Sequence, residues 1–302
     1  MNKKLSIILS TVAGVVLIGG GIPLGLFLSD LLTFNGVDYS GLNVNANEND
    51  AVALLKRFEK DKSKSATELS QTYSGAELVM IAENNISNHE YVQTIGIGLV
   101  NAAMGVKQSI YSASIKNGDS YFLENLSKSS FVACAKRFYQ EGDEVKTYNG
   151  EIIDEKSANW QIDSLETLTK AEHDNKWGKD LSRSSIYIVS KKTVLNESIE
   201  ADENNLKISL SLDPLTSVVR YVKQMVNVSD LAQPPVFHEV NITYTLDQQM
   251  NLLSRDINEV YDVSSFGVVS KNTSGHLLEK IYYDSSYEMP ELNEHLTYSD
   301  FE

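Results

Sequence analysis

Cysteine is nearly absent from this sequence: Cys134 is the only one in 302 residues. One cysteine cannot form a disulfide within the chain, so a hydrophobic core has to stabilise the fold. The lack of a cysteine near the N-terminus also excludes the lipid attachment of bacterial lipoproteins. Cys134 has an alanine on each side and lies in an expected strand, so we predict a buried, unreactive thiol.

Positive charge is scarce. The chain has 26 Lys and Arg against 41 Asp and Glu, a formal net charge of −15. Lys3 and Lys4 are the charged residues of the first 29, and since they contribute +2, the remainder carries −17. Phosphate backbones are bound by Lys and Arg patches, and no basic cluster here outweighs this negative field. The composition therefore predicts no nucleic-acid partner.

Recognisable reaction motifs are missing as well. No G-x-S-x-G or S-x-x-K motif indicates a serine nucleophile. Gly96-Ile97-Gly98 lacks the third glycine of a dinucleotide-binding turn and lies inside an expected strand. The histidines never stand three or four residues apart and are not paired with cysteine at metal-ligand spacing: they are His89, His173, His238, His276 and His295. We therefore predict a protein that is not an enzyme, with no catalytic residue, metal or cofactor.

What is present at the N-terminus is an uncharged, apolar run of 25 residues, 5–29, preceded by two lysines. As a helix it would span about 37 Å, enough to cross a hydrocarbon core of about 30 Å. Lysines before the run and none directly after it place residues 31–302 outside the cytoplasm. A cleaved signal peptide is the alternative, because Gly19-Gly20-Gly21 and Pro23 can end a shorter apolar core.

The predicted domain organisation follows from composition. Residues 1–30 form the cytoplasmic N-terminus and transmembrane anchor, and the polar stretch 31–48 is a linker. An extracytoplasmic domain covers 49–284, and an acidic, mobile tail covers 285–302. An Asn- and Lys-rich, Arg-poor chain is typical of a bacterium with AT-rich DNA and a single membrane.

Within the domain, two helices precede a run of strands. Apolar spacing predicts the first helix from Asn49, and the capping-box spacing of Ser74 and Glu77 predicts the second. Strand-like runs follow at 91–103, 106–115, 120–126, 131–139 and 144–148. Asn117-Gly118 predicts a type I′ hairpin, and Glu141-Gly142-Asp143 a second turn. These signals indicate an antiparallel meander.

The second half adds more strands around a further helix. A short helix is expected from Ser164, with Leu165, Leu168 and Ala171 on one face. Strands are expected at 185–190, 194–200, 206–212, 266–271 and 276–283, and a hairpin with arms 236–246 and 252–263. Asp213-Pro214 is predicted to begin an amphipathic helix that runs to Val226.

This order of elements resembles the lipoprotein-carrier fold and the related lipid-carrier lipoproteins of cell envelopes. The resemblance rests on 206–212, Asp213-Pro214, the helix to Val226 and the run ITYTLDQQMNLLSRDINEVYDV at 242–263. It implies an α+β fold: a strongly curved antiparallel sheet forming a half-open barrel of about ten strands, with amphipathic helices on its concave face. It also implies a hydrophobic hollow able to hold an acyl chain.

The last hairpin supplies the candidate ligand-binding residues. Alternation places Arg255 and Glu259 on the same face as Ile257, and residues four apart on a strand cannot pair directly. Either this face is solvated or the charges line a hollow. In the second case, Arg255, Glu259 and Tyr244 are the predicted polar contacts and Ile242 an apolar one.

Three function classes remain from the sequence, of which a hydrolase of envelope substrates has no catalytic constellation to support it, so two are considered further. One is a membrane-anchored extracytoplasmic binding protein for a lipid or another apolar envelope molecule. The other is a membrane-tethered structural or protein-interaction module without a small-molecule ligand, which meets an envelope protein through its surface.

Overall fold

The computed structural model describes residues 37–39, 42, 48–102, 105–129, 133–163, 165–177, 181–182, 185–202, 204–229, 231, 233–265, 268–283, 288–292 and 294. The predicted membrane segment, 5–29, lies outside these residues. Among the helices that are described, none is both long and apolar enough to cross a membrane.

Three helices open the domain: α1 (Glu48–Asp61), α2 (Ala66–Thr72) and α3 (Gly75–Asn88). The predictions of α1 and α3 are confirmed, and Ser74 and Glu77 form the expected capping box. The sequence analysis missed α2, although Ser65 and Glu68 form the same box. Each box satisfies backbone N–H groups that the first helical turn leaves unpaired, so it fixes where its helix begins.

In the part of the chain that the structure describes, twelve strands form one antiparallel sheet. They are β1 (Tyr91–Asn101), β2 (Lys107–Asn117), β3 (Ser120–Ser129), β4 (Ala133–Glu141), β5 (Glu144–Ile152), β6 (Ala158–Trp160), β7 (Glu166–Thr169), β8 (Val194–Ala201), β9 (Asn205–Leu212), β10 (Val236–Asp247), β11 (Leu252–Ser265) and β12 (Val268–Tyr282). The order is β6-β5-β4-β3-β2-β1-β12-β11-β10-β9-β8, with β7 also paired to β5. The predicted curved, unclosed antiparallel sheet in an α+β fold is confirmed.

The first and last strands meet in the middle of the sheet. β1 pairs with β12 in a register that sets Gly98 opposite Leu277 and Gly96 opposite Glu279. Two meanders, β1–β6 and β8–β12, are joined through this pair. The centre of the sheet is therefore built from residues 173–189 positions apart in the chain, as from Asn101 to Ser274 and from Gln93 to Tyr282.

Both predicted hairpin turns form, but with a different geometry. Asn117 pairs with Ser120, so the loop is Gly118-Asp119, and Gly118 has a φ of +59°. Gly142 has a φ of +58° at the first loop position between β4 and β5. A type I′ turn needs positive φ at both loop residues, whereas glycine at the first position is typical of type II′. The type I′ prediction is wrong, because Asn117 still belongs to the ladder.

The helix predicted from Ser164 begins later. Residues 166–169 are β7, and the helix α4 runs from Lys170 to Trp177. Thr169 and Glu172 form a reciprocal pair of cap hydrogen bonds, of 2.9 and 3.2 Å to the backbone N–H groups. Residues 166–169 form a strand because they pair with β5. The helical spacing of Leu165 and Leu168 does not reveal this pairing.

Three further predictions need correction. Residues 185–190 form bends rather than a strand, and 266–271 and 276–283 belong mostly to one strand, β12. The helix expected from Asp213-Pro214 is α5 (Val219–Ser229), preceded by turns. Asp213 does accept backbone hydrogen bonds, at 2.8 Å from Leu215 N, but they close those turns instead of capping the helix.

The main core lies between helices α1–α3 and α5 and one face of β8–β12, here called the inner face. On β9 the alternation of Leu206, Ile208, Leu210 and Leu212 is confirmed, with each nearly fully buried. Part of the predicted linker joins this core, since Tyr39 is buried and its hydroxyl donates to the Pro235 carbonyl at 3.2 Å. The helices cover β8–β10, and the inner face continues beyond them over the central strands.

Candidate functional site

Side chains that lie flat over small residues form the floor of a hollow on the central strands. Gly98 and Gly96 lie on β1 and Gly275 on β12. A Cβ on Gly98 would come within 3.2 Å of Leu277 Cδ1, and one on Gly96 within 3.4 Å of Glu279 Cγ. The glycines therefore let the side chains of β12 lie flat across the neighbouring strand. This packing accounts for the two glycines of Gly96-Ile97-Gly98.

Above this floor lies a cavity of about 340 Å³. Its walls come from β1–β3, β11 and β12, and its far side from α5 and residues 181, 182 and 185–187. On β2, Ser112 and Ser114 face the cavity and are only partly buried, whereas Tyr111, Ala113 and Ile115 between and beside them are buried. Much of the lining is apolar: Val92, Val100, Ile110, Leu123, Ile186, Ile257 and Leu277 are among its residues.

Glu259 is the buried acid of this cavity. Its carboxylate accepts one hydrogen bond from the Tyr187 hydroxyl at 2.7 Å and one from the Tyr221 hydroxyl at 3.2 Å. Burial raises the pKa of Glu259 to about 7, although both tyrosine hydrogen bonds act to lower it. No cationic side chain of the described residues forms an ion pair with it. A carboxyl in this position is poised between its charged and neutral forms near neutral pH.

Four aromatic rings, each in contact with the next, lie around this acid. Tyr187 and Tyr221 have ring centroids 5.6 Å apart, Tyr221 and Phe237 5.6 Å, and Phe237 and Tyr261 5.1 Å. Tyr187, Tyr221 and Tyr261 all line the cavity. The loop 185–187, α5, β10 and β11 each supply one ring, so the cluster joins four separate segments. One end of the cavity is thus aromatic and acidic.

Arg255 is held in place by two carboxylates. Its guanidinium lies 2.8 Å from Glu279 of β12 and 3.0 Å from Glu83 of α3. Burial acts to lower the pKa of Arg255, but the two carboxylates outweigh it and the pKa is raised. The trio ties α3 to the sheet beside the cavity. Arg255 and Glu259 do not pair with each other, as their spacing on the strand predicts.

The four sequence-predicted site residues fall into two groups. Arg255 and Glu259 line the cavity. Ile242 and Tyr244 lie on the same inner face but are 1% and 0% exposed within the helix-covered core. The structure therefore brings the two charged residues to the hollow and keeps the other two beneath the helices. The role of all four residues in ligand binding stays a prediction.

Sequence reasoning missed Tyr187, Tyr221 and Gly275. Tyr187 lies in a segment that we expected to be a strand, and Gly275 carries no chemistry of its own. Tyr221 had a detectable signal, since it occupies the same amphipathic helix as the buried Val222 and Met225. Its partner Glu259 lies 38 residues away, and only the fold shows that the two meet.

The hydrogen bonding of the cavity wall is incomplete. Asn125 Nδ2, Gln224 Oε1 and Arg255 Nε are buried and have no hydrogen-bond partner among the described residues. All three residues line the cavity. Buried polar atoms are normally paired, so these atoms indicate a wall that can still form hydrogen bonds after a small side-chain shift. The described residues contain no group of three metal-ligating side chains.

No protein-family model matches the chain, and no curated protein matches it in sequence. Among solved structures, a LolA superfamily protein from Nitrosomonas europaea is 8% identical, with 72% of this chain and 96% of that chain covered at a TM-score of 0.28. An N-terminal dehydratase from the difficidin assembly line is 7% identical, with 68% and 81% covered at a TM-score of 0.14. Likenesses this remote carry no argument about function.

Proposed function

We propose that this protein is a binding protein for an elongated apolar molecule with a polar end, such as a lipid. The observation that supports the proposal is the cavity of about 340 Å³ on the inner face of the sheet. Ligand pockets in proteins have volumes of about 300–1,000 Å³, with mostly apolar walls and a few polar groups. The lining here combines many apolar side chains with Glu259 and Arg255 as buried charges and with five less buried charged residues, Lys116, Asp174, Arg220, Lys223 and Glu279.

The helices of the described residues do not fill this part of the inner face. α5 has 11 residues and is about 16 Å long by its rise. It packs Val222 and Met225 into the core and turns Tyr221 and Gln224 toward the cavity. Ser112, Ser114 and Gly275 line the cavity and leave space that larger residues would close. An apolar ligand would remove the exposed walls from water, which is favourable by about 25 cal/mol per Å².

The proposal includes membrane attachment through residues 5–29 and an extracytoplasmic location of the domain. The support is the uncharged length of that segment and the two lysines before it. Protease added to intact cells should then degrade the domain while the full-length protein fractionates with membranes. Complete protection, or a mature N-terminus beyond residue 20, would contradict this part of the proposal.

Native mass spectrometry tests the binding function. The full-length chain, incubated with total lipid extract and separated from free lipid, should carry a mass increment of one lipid molecule. A chain that melts cooperatively and stays ligand-free would overturn the proposal. That result would favour the alternative of a tethered structural or protein-interaction module.

A further inference from the structure

The aromatic end of the cavity contains a buried acid that has no counter-ion among the described residues. Glu259 is 7% exposed, and its two carboxylate oxygens each accept one hydrogen bond from a tyrosine hydroxyl. The nearest strongly held cation on its own strand, Arg255, is already paired with Glu83 and Glu279. The described part of the chain gives Glu259 no ion-pair partner. Its negative charge is stabilised by neutral donors alone.

Such an arrangement is unfavourable for the unliganded protein. Burying a carboxylate without a cation is costly, and two neutral hydrogen bonds compensate only in part. The raised pKa of Glu259, caused first by burial, reports the same cost. A ligand that brings a positive charge to this end would relieve it. The lining also contains the cations Lys116, Arg220 and Lys223, but Glu259 forms an ion pair with none of them in the described part of the chain. An anionic end placed beside Glu259 would add a like charge next to a buried acid, which is unfavourable.

The surrounding rings favour one kind of cation. Tyr187, Tyr221 and Tyr261 line the cavity around Glu259. Aromatic faces attract ammonium groups, most strongly where water is excluded, and aromatic cages are a recurring way to bind quaternary ammonium. Gly275, opposite Glu259, has no side chain that would separate the acid from the cavity.

We infer that the acid and the three tyrosines bind the ammonium end of an amphiphile whose apolar part lies along the cavity floor at Leu277, Ser112 and Ser114. This inference rests on the proposed function and adds the ligand's charge class. The ammonium would lie near the Glu259 carboxylate and the tyrosine rings. The apolar chain would extend past Ser112 and Ser114 toward Val100 and Ile110.

Three ligands with a twelve-carbon chain and different head groups test the inference. They are dodecyltrimethylammonium, monolauroylglycerol and dodecyl sulfate, each titrated below its critical micelle concentration into the full-length chain by calorimetry. We expect the ammonium ligand to bind at least about tenfold more tightly than the neutral one, and the sulfate to bind more weakly than either. In Glu259→Gln the preference for ammonium over the neutral ligand should fall to less than about threefold.

Glu200→Gln is the matched control, because Glu200 is exposed on β8 and its loss changes the net charge equally. It should leave the preference unchanged, which excludes general attraction to an acidic protein. Tyr221→Leu should also reduce the preference, while Tyr221→Phe, which keeps the ring, should largely retain it. If all three ligands bind equally, or if Glu259→Gln keeps the preference, the inference is wrong and the proposed function stands. If none binds, both are wrong.

Discussion

Gly275 lies directly opposite Glu259 on neighbouring strands, and a Cβ at that position would lie 2.8 Å from Glu259 Oε1 and 2.9 Å from its Cγ. Only a glycine lets the Glu259 side chain lie across β12 without displacement. The acid reaches Tyr187 and Tyr221 from that position. A residue with no functional group thus determines where the charged group of the cavity lies.

The first prediction follows from this contact. Gly275→Ala should lower the free energy of unfolding by about 1–3 kcal/mol, because Glu259 has to leave its position. In a Glu259→Ala background the same change should have little effect, since the clashing atoms are gone. Urea unfolding of the four chains in a double-mutant cycle measures the coupling. Equal losses in both backgrounds would show that the two residues do not constrain each other.

The second prediction concerns pH. A pKa of about 7 for Glu259 in the folded protein, against an ordinary 4.5, means that the folded state binds its proton more tightly. The resulting stabilisation is complete below about pH 4.5 and is lost as the pH rises through about 7. Glu259→Gln mimics the protonated acid. Its free energy of unfolding should therefore rise by about 3 kcal/mol relative to that of the parent chain as the pH increases from about 4.5 to about 7.

Urea unfolding of ligand-free protein at about pH 5 and pH 8 measures that difference. Tyr187 and Tyr221 stay protonated in this range, because burial and the charge of Glu259 raise the pKa of both well above the ordinary value. If the free energies of unfolding of the parent chain and of Glu259→Gln change equally with pH, the environment assigned to Glu259 is wrong.

The third prediction concerns the buried ion trio. Arg255→Met leaves Glu83 and Glu279 without their cation and should destabilise the domain by about 3–5 kcal/mol. Arg57→Met is the control, because the Arg57 side chain is 49% exposed in its ion pair with Glu77. Losing that pair should cost less than about 1 kcal/mol. Similar losses in the two variants would mean that the Arg255 trio is effectively solvated.

The fourth prediction tests the packing of α5. Val222 is 3% exposed in the core, and Lys223 beside it is exposed. Val222→Asp puts an unpaired charge into the core and should destabilise the domain by about 3 kcal/mol or more. Lys223→Asp should have nearly no effect on thermal melts. If the two variants melt alike, the helix does not bury the face assigned to it.

The alternation of apolar residues predicted much of the fold. In β9 and in the hairpin of β10 and β11, apolar residues recur at two-residue spacing because one face of each strand is buried. This spacing identified the strands, their buried faces and the turn between β10 and β11. The capping box at Ser74 gave the start of α3. Residues 185–190 are apolar enough to predict a strand, but they do not pair with another strand of the described chain. Tyr187 is buried because it contacts Tyr221 and Glu259.

The site was only partly predictable for a related reason. Alternation identified Arg255 and Glu259 as charges on an apolar face, and both line the cavity. It cannot show where helices cover that face, so Ile242 and Tyr244 had the same sequence signal although they lie in the core. The floor depends on Gly96 and Gly98 meeting β12, a pairing of strands far apart in sequence that no local pattern encodes.

The most direct test of a ligand-holding cavity is to close it from its floor. Ser114 is half-buried on β2 and faces the cavity, so Ser114→Phe should occupy the space without entering the core. Ser198→Phe adds the same ring on the exposed edge strand β8 and serves as the control. The measurement is the calorimetric titration of monolauroylglycerol into the full-length parent and both variants. The account predicts one site in the parent and in Ser198→Phe, and binding at least about tenfold weaker in Ser114→Phe. Equal binding in all three chains, or none in the parent, would contradict it.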